Sequence, residues 1–135
     1  MTSHILIPVA LDHEPIVPAK IALARQLLGP GGRITLLTVL ENIPGFVSEF
    51  VTVDSENHLT SRIRDKLCDV AGGAADISVA VATGKPGVEI VTFAASNAVD
   101  LIIVGSHKPG VSDYFLGSTA ARVARRAPCA VYIQR

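Results

Sequence analysis

The sequence predicts an α/β fold in which helices cover both faces of a parallel sheet, and three observations carry that expectation. Five short aliphatic runs alternate with four segments whose apolar residues recur at helical spacing, the pattern that builds right-handed βαβ units. Several of the runs are almost unbroken Val, Leu and Ile, as inner strands buried on both faces must be. With no Trp, two Tyr and four Phe, the core has to be aliphatic. The 135 residues fit one domain, residues 1–135, long enough to bury its core without covalent staples.

Taken in order, His4 to Leu11 is a short aliphatic run that reads as a buried first strand, with Pro8 tolerable only near the strand end. Asp12 suits a helix N-cap, and Pro15 and Pro18 fit the irregular start of the helix that follows. Val17, Ile21, Ala24, Leu27 and Leu28 make its apolar face, which Gly29-Pro30-Gly31-Gly32 should end in a chain reversal. Ile34 to Leu40 is the second strand. Phe46 to Val53 has no clear period and is treated as a loop or cover segment.

Leu59, Ile63, Leu67 and Val70 mark a second amphipathic helix ending at Gly72-Gly73. Asp76 to Ala82 alternates with period two, as a half-exposed or edge strand does. After a turn at Thr83 to Gly87, Ile90, Phe93, Ala94 and Asn97 share a face of the third helix. Val99 to Val104 form the fourth strand. The last helix, Ser118 to about Arg126, should turn Ala120, Val123, Ala124 and Ala127 inward, and Cys129 to Ile133 is the closing strand.

Lys plus Arg and Asp plus Glu are 12 each, so no net field draws the chain to nucleic acid or to an anionic membrane. No apolar segment has membrane-spanning length and no signal-peptide pattern opens the chain, which makes a cytoplasmic protein the expectation. Cys68 and Cys129 lack metal-ligand or disulfide spacing and read as small buried hydrophobes. His4, His13 and His58 are scattered, as surface or capping residues are.

Phosphate-binding fingerprints are missing: there is no Gly-x4-Gly-Lys-Ser/Thr loop and no Gly-x-Gly-x-x-Gly after a strand. Ser106, His107 and Asp113 supply the residue types of a hydrolytic triad, but sequence neighbours seldom face each other and the Gly-x-Ser-x-Gly elbow is absent. One stretch does carry a site. Leu101 to Gly105 is a strand, a turn-rich loop follows, and Gly117-Ser118-Thr119 opens a helix. That arrangement aims free backbone N–H groups and a positive helix end at one point, where an anion can sit.

From Gly105 through Gly117-Ser118-Thr119 to Ile133 the chain resembles the signature of the universal stress protein family. Ile5-Leu-Ile-Pro-Val, Leu37-Thr-Val, Gly84-Lys-Pro and Asp100-Leu-Ile-Ile-Val-Gly-Ser agree with it, so the resemblance spans essentially the whole chain. It implies five parallel strands in the order 3-2-1-4-5, with the site at the switch between strands one and four. In the family's ATP-binding branch, Gly-x2-Gly-x9-Gly-Ser/Thr holds the phosphates, and the adenine and ribose lie against the ends of strands one and two. The matching positions are Gly105, Ser106, His107, Lys108, Gly117, Ser118 and Thr119 on the phosphate side, with Pro8, Val9, Ala10 and Val39 on the nucleoside side.

Two departures bear on affinity. Lys108 stands where the pattern has its second glycine, with eight residues rather than nine from there to Gly117, and its charge is available to phosphate. Ala10 stands where the family has the aspartate of Pro-x-Asp, which removes one charged hydrogen bond, about 1.5–3 kcal/mol. Asp12 replaces it only if the loop bends back.

The resemblance therefore implies ATP, with Mg2+, bound by a nucleotide-responsive regulatory module of the stress response. It also implies a homodimer paired through the last strand, with a dimer of dimers left open. The alternative is a nucleotide-free dimeric interaction protein; an active hydrolase ranks last. No general base or carboxylate pair is evident, so any ATPase activity should be slow.

Overall fold

A computed structural model describes residues 2–10, 17–40, 53–105 and 117–134 of the chain. In chain order the elements are β1 (Thr2–Pro8), α1 (Val17–Leu27), β2 (Leu28–Leu40), α2 (Val53–Ala71), β3 (Ile77–Thr83), α3 (Pro86–Ser96), β4 (Leu101–Gly105), α4 (Ser118–Arg126) and β5 (Ala130–Gln134). The strands form one sheet in the order β3-β2-β1-β4-β5, every pair parallel, as expected. Pro8 is the last residue of β1, where its missing N–H costs the ladder least.

Strand periodicity of two divides the core between the sheet faces. Ile5, Ile7, Ile34, Leu36 and Ile103 point to the face covered by Val17 and Ala24 of α1 and by Ile63 and Leu67 of α2. Leu6, Leu37, Ile102 and Val104 point to the other, covered by Ile90 and Ala94 of α3 and by Ala120 and Val123 of α4. β3 and β5 are the edges; Tyr132 and Ile133 on β5 are among the exposed large hydrophobic side chains. No helix among the described residues is long and apolar enough to cross a membrane.

The glycine-rich segment after α1 behaves differently from the expected reversal. Leu28 already pairs with Thr2, and the ladder resumes at His4 with Arg33, so the residues between form an irregularity inside β2 rather than a loop before it. Gly31 takes φ +74 there, a conformation an L side chain resists. The third helix takes in the end of the expected turn: Pro86 and Gly87 occupy its first positions, with Lys85 as N-cap. α2 begins at Val53; the rest of the Phe46 to Val53 segment lies outside the described residues.

Four side chains depart from expectation. Leu27, expected on the apolar face of α1, is 39% exposed at the last position of the helix, where the chain passes into β2. Cys68 is exposed, because it follows the inward Leu67 by one residue and so lies about 100° around α2. Ala124 is exposed for the same reason beside Val123. His4 is buried in a polar network at the amino end of the sheet. Its Nδ1 lies 3.0 Å from the Asn97 carbonyl, which can only accept, so Nδ1 carries the proton. Nε2 then accepts from the Thr35 hydroxyl at 2.7 Å, and Ser78 lies 3.3 Å from the same Thr35 oxygen. Burial holds the imidazole pKa below its ordinary value.

Asp100 ties the same end together. Its carboxylate accepts the Ser3 and His4 amides at 2.7 and 3.0 Å, which lowers its pKa. Nearby, α1 is pinned to the turn before β3 by Arg25, whose guanidinium meets the Asp76 carboxylate at 2.6 and 3.2 Å. That pair is largely solvent-exposed and adds little to stability.

Candidate functional site

Strand order reverses between β1 and β4: β2 and β3 lie to one side of the pair, β5 to the other. In open α/β sheets the crevice that takes a ligand lies outside the carboxyl ends of the strands at such a reversal. β1 and β4 pair at Ile5 with Leu101 and Leu6 with Ile102. The offset is 96 residues, and continuing it sets Val9 level with Gly105 (9 + 96 = 105). Val9 and Gly105 therefore stand side by side at the carboxyl end of the sheet.

Pro8 is half-buried and Val9 buried. Both backbone groups of Val9 are already used: its amide donates to the Leu37 carbonyl at 2.7 Å, and its carbonyl accepts from the Thr38 hydroxyl at 3.0 Å. Val9 is thus held at the end of the sheet, and Ala10, the next residue, is exposed. Val39 is half-buried and packs into the core on the α3 and α4 side. Leu40 accepts the Gly84 amide at 2.8 Å, closing the sheet edge next to it.

The phosphate side is described at its two ends. Gly105 finishes β4, and α4 starts at Ser118 with Gly117 as N-cap. Since α4 joins β4 to the parallel β5, its amino end must lie on the carboxyl side of the sheet. Among the described residues no side chain caps it, and its first turn holds no acidic residue, so within them the amides of Ser118 and Thr119 keep their capacity to donate. Ser118 is exposed and Thr119 half-buried; both line a groove shared with Pro86, Gly87 and Arg122. Ser106, His107 and Lys108 lie outside the described residues, as do Asp12 and Asp113.

Gly87 sets how closely α4 approaches α3. A Cβ there would stand 2.7 Å from Arg122 Cδ and 3.1 Å from its Cβ, so the glycine lets the two helices meet and fixes where the α4 amides point. The arginines of α4 lie on the exposed side, with Arg125 and Arg126 in its last turn, complementing the negative helix end.

One residue at this edge carries a charge that the sequence reading passes over. Lys20, one turn into α1, is only 7% exposed. A Cβ placed on Gly105 would lie 3.4 Å from its Nζ and 3.9 Å from its Cε, so the side chain runs to the bare end of β4. Burial pushes its pKa down. The signal was present in the chain: Val17, Lys20, Ile21 and Ala24 fall on one helical face, and a lysine stands in that apolar stripe.

Comparison with known proteins agrees with the geometry. The model of the universal stress protein family matches residues 1–135. A universal stress protein of Methanothermobacter thermautotrophicus is 38% identical over 52 residues, 38% of this chain and 36% of the relative, so the matched stretch spans little more than a third of that relative's length. Among solved structures, hypothetical protein MJ0577 superposes with a TM-score of 0.76 at 26% identity, covering 98% of this chain and 95% of its own. A universal stress protein in complex with cAMP gives 0.69 at 20% identity, covering 99% and 97%. One from Archaeoglobus fulgidus in complex with dAMP gives 0.63 at 15%, covering 98% of each chain. The last two show a shared fold.

Proposed function

Because the chain belongs to the universal stress protein family, we propose that it binds an adenine nucleotide, ATP by its signature residues, and acts as a nucleotide-responsive regulatory module in the stress response. The observation that carries this reading is the amino end of α4, without a side-chain cap among the described residues and set on the carboxyl side of the sheet. Its Ser118 and Thr119 amides, with the Ser118 hydroxyl, are suited to phosphate oxygens. Gly105 adds a backbone with no side chain to hold the phosphates off. Adenine and ribose would lie along Pro8, Val9, Ala10 and Val39, with Ser106, His107 and Lys108 completing the phosphate side.

That relatives of this fold are described in complex with cAMP and dAMP supports the adenine nucleotide as the ligand class. The residues present fit phosphate. Among the described residues no group of His, Cys, Asp or Glu is placed to hold a metal; magnesium commonly reaches such sites coordinated by the phosphates themselves. The chain's own part is to bind and orient: the helix amides hold charge, and the filled backbone groups of Val9 keep the floor rigid. Release of adenine nucleotide from the unfolded protein, and calorimetric titration of the stripped protein with ATP and magnesium, test the reading. No binding at millimolar ATP overturns it.

A second reading, a cytoplasmic dimeric interaction protein without nucleotide, is favoured by a separate observation. β5 is an edge strand whose Tyr132 and Ile133 are 42% and 37% exposed, and its free edge suits pairing with a second copy. The pairing itself is compatible with either reading, since a homodimer, or a dimer of dimers, formed through β5 would leave the β1–β4 switch free. Sedimentation of the wild type against Ile133→Asp measures it; a monomeric wild type refutes the pairing.

A further inference from the structure

We propose that Lys20 is a phosphate ligand of this site, a cation supplied by α1 beneath the end of β4 and acting with the amides of α4 on the opposite side of the sheet. The inference rests on the nucleotide reading above and adds to it a residue outside the signature. Three observations converge on it.

The first is cost. A lysine is almost never fully buried unless paired, yet Lys20 is 7% exposed and reaches inward from a helical face otherwise made of Val17, Ile21 and Ala24. Among the described residues no carboxylate offsets it: loss of solvent is what acts on the amino group. An uncompensated buried cation is expensive for a fold to keep. A counter-charge brought by a ligand makes it worth keeping.

The second is direction. The side chain ends beside Gly105, where a Cβ would stand 3.4 Å from Nζ. The ammonium therefore lies within van der Waals reach of the end of β4, the strand end at which the phosphates of the proposed nucleotide would sit. The third is charge balance. Where the family pattern has an aspartate, this chain has the exposed Ala10, so the described floor of the crevice carries no anion to satisfy Lys20 from within. The crevice is thereby biased toward the polyanionic end of a nucleotide, and discrimination between a triphosphate and a nucleoside should run through this residue.

The test is calorimetric titration of the wild type and Lys20→Met with ATP, adenosine and inorganic tripolyphosphate. Methionine matches the length and apolar stem of lysine, and a circular dichroism melt checks that the variant is folded. Lys20→Met should weaken ATP and tripolyphosphate about tenfold to hundredfold, the range of one charge-assisted bond, and leave adenosine within about twofold. In the wild type, the 15N ammonium signal of Lys20 should move with ATP and tripolyphosphate and stay in place with adenosine, a readout independent of any variant.

Unchanged ATP and tripolyphosphate affinity in Lys20→Met, or an equal loss for adenosine, overturns the assignment while the nucleotide reading stands. Tripolyphosphate binding that needs Lys20, with no adenosine binding and ATP no tighter than tripolyphosphate, keeps the lysine and removes the nucleotide. If neither ATP nor tripolyphosphate binds the wild type at millimolar concentration, both fail.

Discussion

Lys20→Met should make the ligand-free protein more stable, an unusual outcome for a core substitution. Lys20 is 93% buried (100 − 7), its stem lies in the same face as Val17 and Ala24, and burial alone lowers its pKa. Methionine keeps the stem contacts and removes the buried polar group, whose uncompensated burial costs about 1–3 kcal/mol in proteins. For a chain of this size each kcal/mol moves Tm by about 3–5 °C. Urea denaturation and thermal melts of both proteins, stripped of ligand, measure the difference.

The pH dependence gives an independent check on the sign. With the folded pKa of Lys20 lowered from 10.5, the unfolded chain binds more protons between the folded value and 10.5. Wild-type stability therefore rises with pH across that window, and the advantage of the variant shrinks as the ammonium is lost. A saturating anion should act in the same direction at neutral pH: ligand at about 100 times its Kd adds roughly 2.7 kcal/mol to the wild type. A variant less stable than the wild type, or an advantage that does not shrink at alkaline pH, would refute the claim that the ammonium is buried without compensation.

Ala98 has φ +52 in the αL position after α3, where the Val99 amide reaches back to the Ala94 carbonyl at 3.1 Å. Ala98→Gly should relieve about 1–2 kcal/mol of αL strain, less about 0.4–1 kcal/mol for the freer unfolded chain, and a rise in the urea midpoint checks it. Gly87→Ala places a methyl 2.7 Å from Arg122 Cδ and should cost about 1–3 kcal/mol as α4 is pushed off α3; an unchanged midpoint counts against that close approach. The lowered pKa of His4 means the unfolded chain takes up a proton from 6.5 downward while the folded one resists. Wild-type stability should fall as pH drops through that window, and His4→Gln should lose that slope; parallel pH curves count against it.

The fold was legible because its signals are local. Runs such as Leu101 to Val104, and glycines at strand and helix ends, state where each element lies, and the family resemblance supplied the strand order. What escaped depends on partners far along the chain. His4 meets groups 31 and 93 residues away, and no periodicity marks a histidine that will find them. Gly29 to Gly32 reads as a reversal from turn chemistry, yet pairing between Leu28 and Thr2 draws it into β2. At the candidate site the strand, loop and helix start were legible locally: Gly105 ends β4, and Gly117, Ser118 and Thr119 stand at the start of α4. Lys20 was visible as a charge in an apolar stripe, but its neighbour Gly105 lies 85 residues on (105 − 20).

The two ends of the sheet divide the polar work. At the amino end, His4, Thr35, Ser78 and Asp100 bond to one another or to backbone, and each of these contacts joins segments distant in sequence. Such a network holds β1, β2, β3 and the start of β4 in register. At the carboxyl end the balance is reversed among the described residues: α4 starts without a side-chain cap, and Lys20 is buried without a counter-charge. Donors left over at one edge, in a chain whose other edge is satisfied, are what a site for an anion requires before the anion arrives. If an anion binds there as proposed, it would supply the missing half of each interaction, and the free energy lost in keeping Lys20 and the α4 amides open would return as affinity. On this argument the amino-end network governs how stable the protein is, the carboxyl-end donors govern how much that stability responds to ligand, and substitutions at the two ends should separate the effects.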